Sequence, residues 1–157
     1  MGGAVLPGQR PAGELVSVDE VAGTARVTSS VLFVTEIQRS VDFYCGVFDC
    51  TATIQDRDAA LLLGPDGFQI YLVERGRGAS HHAGSVGPHC LIWAVDSAAE
   101  LTRIDQALAD RGVRTDTHTS GGVVFVTGCD PDGIRVMIAH PSPEVLPRSV
   151  VSPRLYT

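Results

Sequence analysis

The stretch GCDPDGIRVMI, residues 128–138, decides how this chain folds. It reads as a tight turn at Pro131-Asp132-Gly133 that launches a buried strand. Proline presets the first torsion of such a turn, and glycine adopts a positive φ at no steric cost. The same pattern occurs earlier, as GPDGFQIYL at 64–72. Aligning the turns sets Gln69 against Arg135 and Tyr71 against Met137. Upstream of each turn lies a second matching pair, SSVLFV (29–34) and CLIWAV (90–95), which sets Ser29 against Cys90 and Val34 against Val95.

Between these anchors the hydrophobic pattern switches period. SSVLFV is β-branched and apolar and predicts a buried strand. QRSVDFYCGVF (38–48) has helical spacing, with Val41, Tyr44, Cys45 and Phe48 on one face. Thr35 and Gln38 fit a capping box at its start. TATIQD, AALLLG and FQIYLVE (68–74) predict short strands, and CLIWAV another. SAAELTRIDQALADRG (97–112) is the clearest helix. Ser97 and Glu100 fit a second capping box, Leu101, Ile104 and Leu108 form its buried stripe, and Gly112 is a natural stop. GVVFVT and GIRVMIAH close the chain's second half as strands. Each half therefore reads strand, helix, strand, strand, strand. Units this short cannot each bury a face alone, so the halves should pack together.

With 157 residues, 44% of them hydrophobic, the expectation is one domain with a real core. The packed region should span 27–140, as two repeats at about 27–77 and 89–140. Residues 1–26 are rich in Gly, Pro and small side chains and predict a flexible extension. The Pro-rich tail, 141–157, cannot be a continuous helix. It either trails in solvent or lies across a partner subunit. The formal net charge of -6 and the lack of a basic stripe argue against nucleic-acid binding. No apolar run approaches the ~20 residues of a membrane span, and the opening residues show no basic n-region followed by an apolar h-region, so neither a span nor a signal peptide is expected. Cys45, Cys50, Cys90 and Cys129 form no CxxC pair, which suits a reduced, cytoplasmic protein in which cysteines are small buried hydrophobes.

Four stretches together resemble the vicinal oxygen chelate superfamily, which includes glyoxalase I, bleomycin- and fosfomycin-resistance proteins and extradiol dioxygenases. VTEIQRSVDFYCGVFDC is similar to its first helix, with the S-V-x-F-Y motif. GPDGFQIYLVE resembles its first closing hairpin, CLIWAVDS…ALADRGV its second strand and helix, and DPDGIRVMI its D-P-D-G signature. The resemblance covers about 110 residues. It implies an α+β fold of two βαβββ modules forming a curved mixed sheet around a cleft, with helices on the convex side. It also implies a homodimer with clefts completed at the subunit interface.

In the metal-dependent members of that superfamily each module supplies two ligands, one from its first strand and one from its last, mostly His and Glu. Carried onto this chain, those positions are Ser29, Tyr71, Cys90 and Met137. None offers the imidazole or carboxylate that suits a divalent ion with open coordination positions. The expectation is that no metal is held in this mode and no cofactor is needed. His89, one residue before Cys90, would reach the cleft only if the strand register slipped by one.

Strand alternation groups Ser29, Val31 and Phe33 on one face, with Gln69 and Tyr71 on the matching face of a later strand. Cys90 and Ile92 share a face, as do Arg135 and Met137. These nine residues are the candidate ligand cleft. Arg135 could pair an anionic group, Gln69 and Tyr71 could orient a polar one, and Phe33 and Met137 could form an apolar floor. Plain packing or solvation is the alternative for each. Cys90 as a nucleophile would need a base that His89, pointing away, does not supply. SHHAGSVGPH (80–89) reads as a solvated connection, His118 and His140 as surface or strand-end residues, and Trp93 as a core anchor. The favoured function is metal-independent small-molecule sequestration, like the bleomycin-resistance branch. The alternatives are a lyase, isomerase or dioxygenase of the same superfamily, or a module whose cleft takes a partner segment.

Overall fold

The computed structural model describes residues 25–80, 86, 88 and 90–142. The expected N-terminal extension, most of the tail and much of the 80–89 connection, His89 included, lie outside the described residues. Those described form two copies of one unit. The first is β1 (Ser29–Val34), α1 (Ile37–Phe48), β2 (Thr51–Gln55), β3 (Ala59–Leu63) and β4 (Gln69–Glu74). The second is β5 (Cys90–Ala94), α2 (Ala98–Ala109), β6 (Asp116–Ser120), β7 (Val123–Cys129) and β8 (Arg135–His140). The chain is α+β, as its repeat predicts. Among the described residues, no helix is long and apolar enough to cross a membrane.

Each module has its own four-stranded mixed sheet, in the orders β1-β4-β3-β2 and β5-β8-β7-β6. The first strand of each lies parallel to the last, and the remaining pairs are antiparallel. A helix must therefore carry the chain back between the parallel strands. Both Pro-Asp-Gly turns are present, with Gly67 at φ 87° and Gly133 at φ 83°, torsions that a side chain would oppose. Pairing across the parallel strands follows the aligned repeat. Ser29 faces Gln69 and Val31 faces Tyr71, while Cys90 faces Arg135 and Ile92 faces Met137.

Three local expectations are corrected. α1 begins with Glu36 as its N-cap and has no side-chain cap, so the Thr35–Gln38 capping box does not form. Carboxylates from elsewhere serve this helix end instead: the Ile37 N–H donates to Glu74 Oε2 (2.9 Å), and the Thr35 N–H to Asp132 Oδ2 (3.2 Å). The second box is half made. Ser97 Oγ accepts from the Glu100 N–H, but the Glu100 side chain turns to Arg103. Finally, Asp116–Ser120 is a strand, with His118 at its centre rather than at an end or on the open surface.

The modules join through their helices. Tyr44, Val47 and Phe48 of α1 and Leu101, Ile104 and Leu108 of α2 share one core with Val126, Val136 and Ile138 of the second sheet. Phe48 stacks on Trp93 with centroids 4.0 Å apart and planes 8° from parallel, which makes Trp93 the core anchor its alternation predicts. The D-P-D-G turn then reaches across to α1. Asp132 accepts from Thr35 Oγ1 (2.5 Å), Arg39 Nη2 (3.0 Å) and Ser40 Oγ (3.4 Å). Asp130 Oδ2 accepts from the Tyr44 hydroxyl (2.9 Å). The two sequence motifs, S-V-x-F-Y and D-P-D-G, are thus the two halves of one inter-module contact.

Burial raises the pKa of Asp130, against the lowering effect of bonds from the Ile134 N–H, the Tyr44 hydroxyl and the Asp132 N–H. A raised folded pKa means that this group's contribution to stability is complete below its unfolded value, near ~4. It is lost as pH rises through the folded value. Asp130→Asn keeps an oxygen for the two N–H donors and removes the titration. Its stability relative to the parent should therefore improve as pH rises from about 3.5 to 6. Urea midpoints measured across that range test this, and a flat difference would rule out a raised pKa.

Candidate functional site

The sheet faces turned away from the helices carry the candidate residues. On the first sheet, cross-strand pairing builds one row of Ile54, Leu61, Tyr71 and Val31, and a second of Ala59, Val73 and Phe33. A third row holds Thr51, Leu63, Gln69 and Ser29. Ile54 reaches this face because a register shift between Ala52 and Ile54 inserts an extra residue into β2. Val31 is 60% exposed, Phe33 57%, and Tyr71 39%. Such a grouping of large apolar side chains in the open is unusual for a face with no role. The guanidinium of Arg75 lies 4.0 Å above the Phe33 ring, and the Tyr71 hydroxyl donates to Gln69 Oε1 (3.0 Å).

The second sheet presents Cys90, Ile92 and Ala94 from β5, Arg135, Met137 and Ala139 from β8, and Val123, Phe125 and Thr127 from β7. Leu91 and Trp93 point the other way and pack on the shared core, so Cys90 is on the face turned away from the helices. Ile92 is 51% exposed, but Met137 is only 1% exposed and clusters with Val123, Phe125 and Ala139. The His118 ring stacks on Phe125 (5.0 Å), and both of its nitrogens are buried without a hydrogen-bond partner.

The nine candidates therefore fall into two groups. Ser29, Val31, Phe33, Gln69 and Tyr71 lie together on the first sheet; Cys90, Ile92, Arg135 and Met137 lie together on the second. The exposure of Val31, Tyr71 and Ile92 shows that the two faces do not close on each other within one chain. Sequence reading missed Ile54, Leu61 and Leu63 on the first face, whereas alternation had already set Val73 beside Gln69 and Tyr71. The alternation of AALLLG could have shown Leu61 and Leu63.

The four family ligand positions do not fit a divalent ion. Ser29 and Tyr71 offer hydroxyls, and the Tyr71 hydroxyl is engaged with Gln69. Met137 offers a thioether packed among apolar side chains. Burial raises the Cys90 thiol above its ordinary pKa, only partly offset by Arg135, and so disfavours the thiolate a metal would need. Burial also raises Cys45, and pushes Cys50 up to about 12. Cys129 is exposed, contrary to the buried reading. Among the described residues no three His, Cys, Asp or Glu side chains gather closely enough to hold an ion.

Two βαβββ modules in one chain, each offering the helix-free face of its sheet, define a paired-module α+β class. The family model described as "Glyoxalase/Bleomycin resistance protein/Dioxygenase superfamily" matches residues 21–138, and the chain belongs to that superfamily. Solved structures share the fold at low identity. A glyoxylase/bleomycin resistance protein/dioxygenase domain from Frankia sp. EAN1pec is 19% identical, with 74% of this chain and 98% of that one covered and a TM-score of 0.66. A possible glyoxalase from Bacillus cereus is 16% identical, covering 73% and 98%, with a TM-score of 0.61. A fosfomycin resistance protein from Mesorhizobium loti is 13% identical, covering 80% and 97%, with a TM-score of 0.60. No curated protein matches the chain.

Proposed function

We propose that this protein binds and sequesters a small, largely apolar molecule without a metal, as a homodimer whose subunits complete each other's clefts. The observation that carries this reading is the open first-sheet face, where Val31, Phe33, Ile54, Leu63 and Tyr71 are all exposed together. An apolar wall with few polar anchors is what a small-molecule site requires. Here the anchors are the Tyr71–Gln69 pair and, from the second sheet, Arg135. An apolar face this open also favours a second subunit, which would remove it from water.

The test uses 8-anilinonaphthalene-1-sulfonate, an apolar aromatic anion, as the probe. Chelator-treated protein should bind it, and Tyr71→Ala should weaken binding about tenfold, equivalent to ~1.4 kcal/mol, with an unchanged far-UV circular dichroism spectrum. Equal affinity in parent and variant would argue against this face as the site. Sedimentation should give twice the monomer mass.

The second reading is a lyase, isomerase or dioxygenase. It draws on fold relatives that include a lactoylglutathione lyase from Agrobacterium tumefaciens and the oxidase ChaP-H2. An activity abolished by chelation and restored by a divalent ion would favour it over sequestration.

A further inference from the structure

We propose that the ligand of the first-sheet face is a small organic anion, whose acid group pairs with the guanidinium of Arg75 while its apolar body lies along Phe33, Val73 and Tyr71. This rests on the binding reading above and adds the ligand's charge and orientation. Tyr71 and Val73 alternate onto the helix-free face, and Arg75 continues that alternation one residue past the end of β4. The backbone fixes its place: the Arg75 N–H donates to Val34 O (2.8 Å) and extends the parallel pairing with β1. Gly76, at φ 81°, breaks the strand directly after it.

The guanidinium carbon of Arg75 sits 4.0 Å from the centroid of the Phe33 ring, yet Phe33 stays 57% exposed. The ring takes one side of the cation out of water, while its N–H donors remain to be used. Arg39, Arg77 and Arg103 each spend donors on carboxylates. Among the described residues, Arg75 makes no ion pair and no side-chain hydrogen bond.

The charge around Arg75 does not answer it. Glu74 is the one acid in the four strands of the first sheet, and it points the other way, to the Ile37 N–H. Asp58 pairs beside Glu74 and by alternation belongs to that same opposite face. Asp56, just beyond β2, is held by its N–H to Ala59 O, two strands and about 10 Å from Arg75. In a chain of net charge -6 this leaves a cation above an open apolar wall. An acid on an apolar body meets both, because a planar guanidinium matches a carboxylate, sulfonate or phosphate with two parallel bonds.

The orientation follows from the strand. Tyr71 stands four residues from Arg75, a span of about 13 Å. One aromatic or branched apolar body fits between the acid and the Tyr71–Gln69 pair. The device belongs to one module, because the repeat sets Pro141 at the counterpart of Arg75. Arg135 stands on the other sheet, at the position that corresponds to Gln69.

Two probes that differ by the acid alone test this, 8-anilinonaphthalene-1-sulfonate and the neutral N-phenyl-1-naphthylamine. Arg75→Gln should weaken the sulfonate about tenfold and leave the neutral amine within about twofold. Arg75→Lys, which keeps the charge, should recover most of the sulfonate's loss. The proposal is overturned if Arg75→Gln weakens both probes alike, which would make Arg75 a cover for Phe33 and not an anion partner. It is also overturned if Arg75→Gln changes neither, or if Arg135→Gln alone removes the discrimination between them. Tyr71→Ala keeps the two readings apart. Where it weakens both probes, the face is the site and only the role of Arg75 is at stake. Where it leaves both unchanged, the face is not the site and the binding reading falls as well.

Discussion

Replacing Phe48 with alanine is expected to cost about 3–5 kcal/mol of folding stability, the largest single effect in the molecule. Phe48 is buried at the end of α1, where it meets Tyr44 and Phe43 from its own helix and Trp93 from the other module. Truncation removes the ring from water-free packing and leaves a cavity on both sides of the junction. Trp93 is also the only tryptophan, so its emission reports the junction directly. Urea unfolding followed by circular dichroism gives the loss, and a red shift of native Trp93 emission should accompany it. The stack itself contributes only ~0.5–1.5 kcal/mol beyond burial, which a double-mutant cycle with Trp93→Leu would isolate. A loss under about 1 kcal/mol would mean that the two modules do not depend on this contact.

Asp132→Ala should be the next most damaging change, at about 2–4 kcal/mol. Its side chain is only 6% exposed and accepts from the Thr35 N–H, Thr35 Oγ1, Arg39 and Ser40. Ser40 is fully buried, so its hydroxyl would be left without a partner. The Arg39 ion pair is not the source of the effect, because Arg39 is half exposed and such pairs contribute little. Asp132→Asn, which keeps acceptor and shape, should therefore recover most of the loss. The matched control is Asp66→Ala in the first Pro-Asp-Gly turn. Asp66 is exposed and makes only a local bond from the Phe68 N–H (3.0 Å), so its loss should stay under ~1 kcal/mol. Equal losses at Asp66 and Asp132 would show that both are turn formers and that neither joins the modules.

That contrast marks what was legible beforehand. The two turns look alike in sequence, and the repeat they reveal correctly sets Ser29 against Cys90 and Gln69 against Arg135. Their different work is invisible, because it depends on which turn reaches the N-terminus of α1 once the modules have docked. The missing capping box at Thr35 has the same origin: carboxylates distant in sequence, Asp132 and Glu74, took the role that Gln38 was expected to fill.

The two βαβββ modules and the strand faces could be read from the residues alone, because they follow from turn chemistry and side-chain alternation, which are local. That Ser29, Tyr71, Cys90 and Met137 stand at the family's metal-ligand positions came from the resemblance to the superfamily. It took the folded chain to show that a bulge in β2 turns Ile54 onto the helix-free face, that His118 is shielded in mid-strand, and that Tyr71 is open while Met137 is buried. Alternation says which way a side chain points. What then covers it is decided by the chain's remote parts, and no local pattern records them.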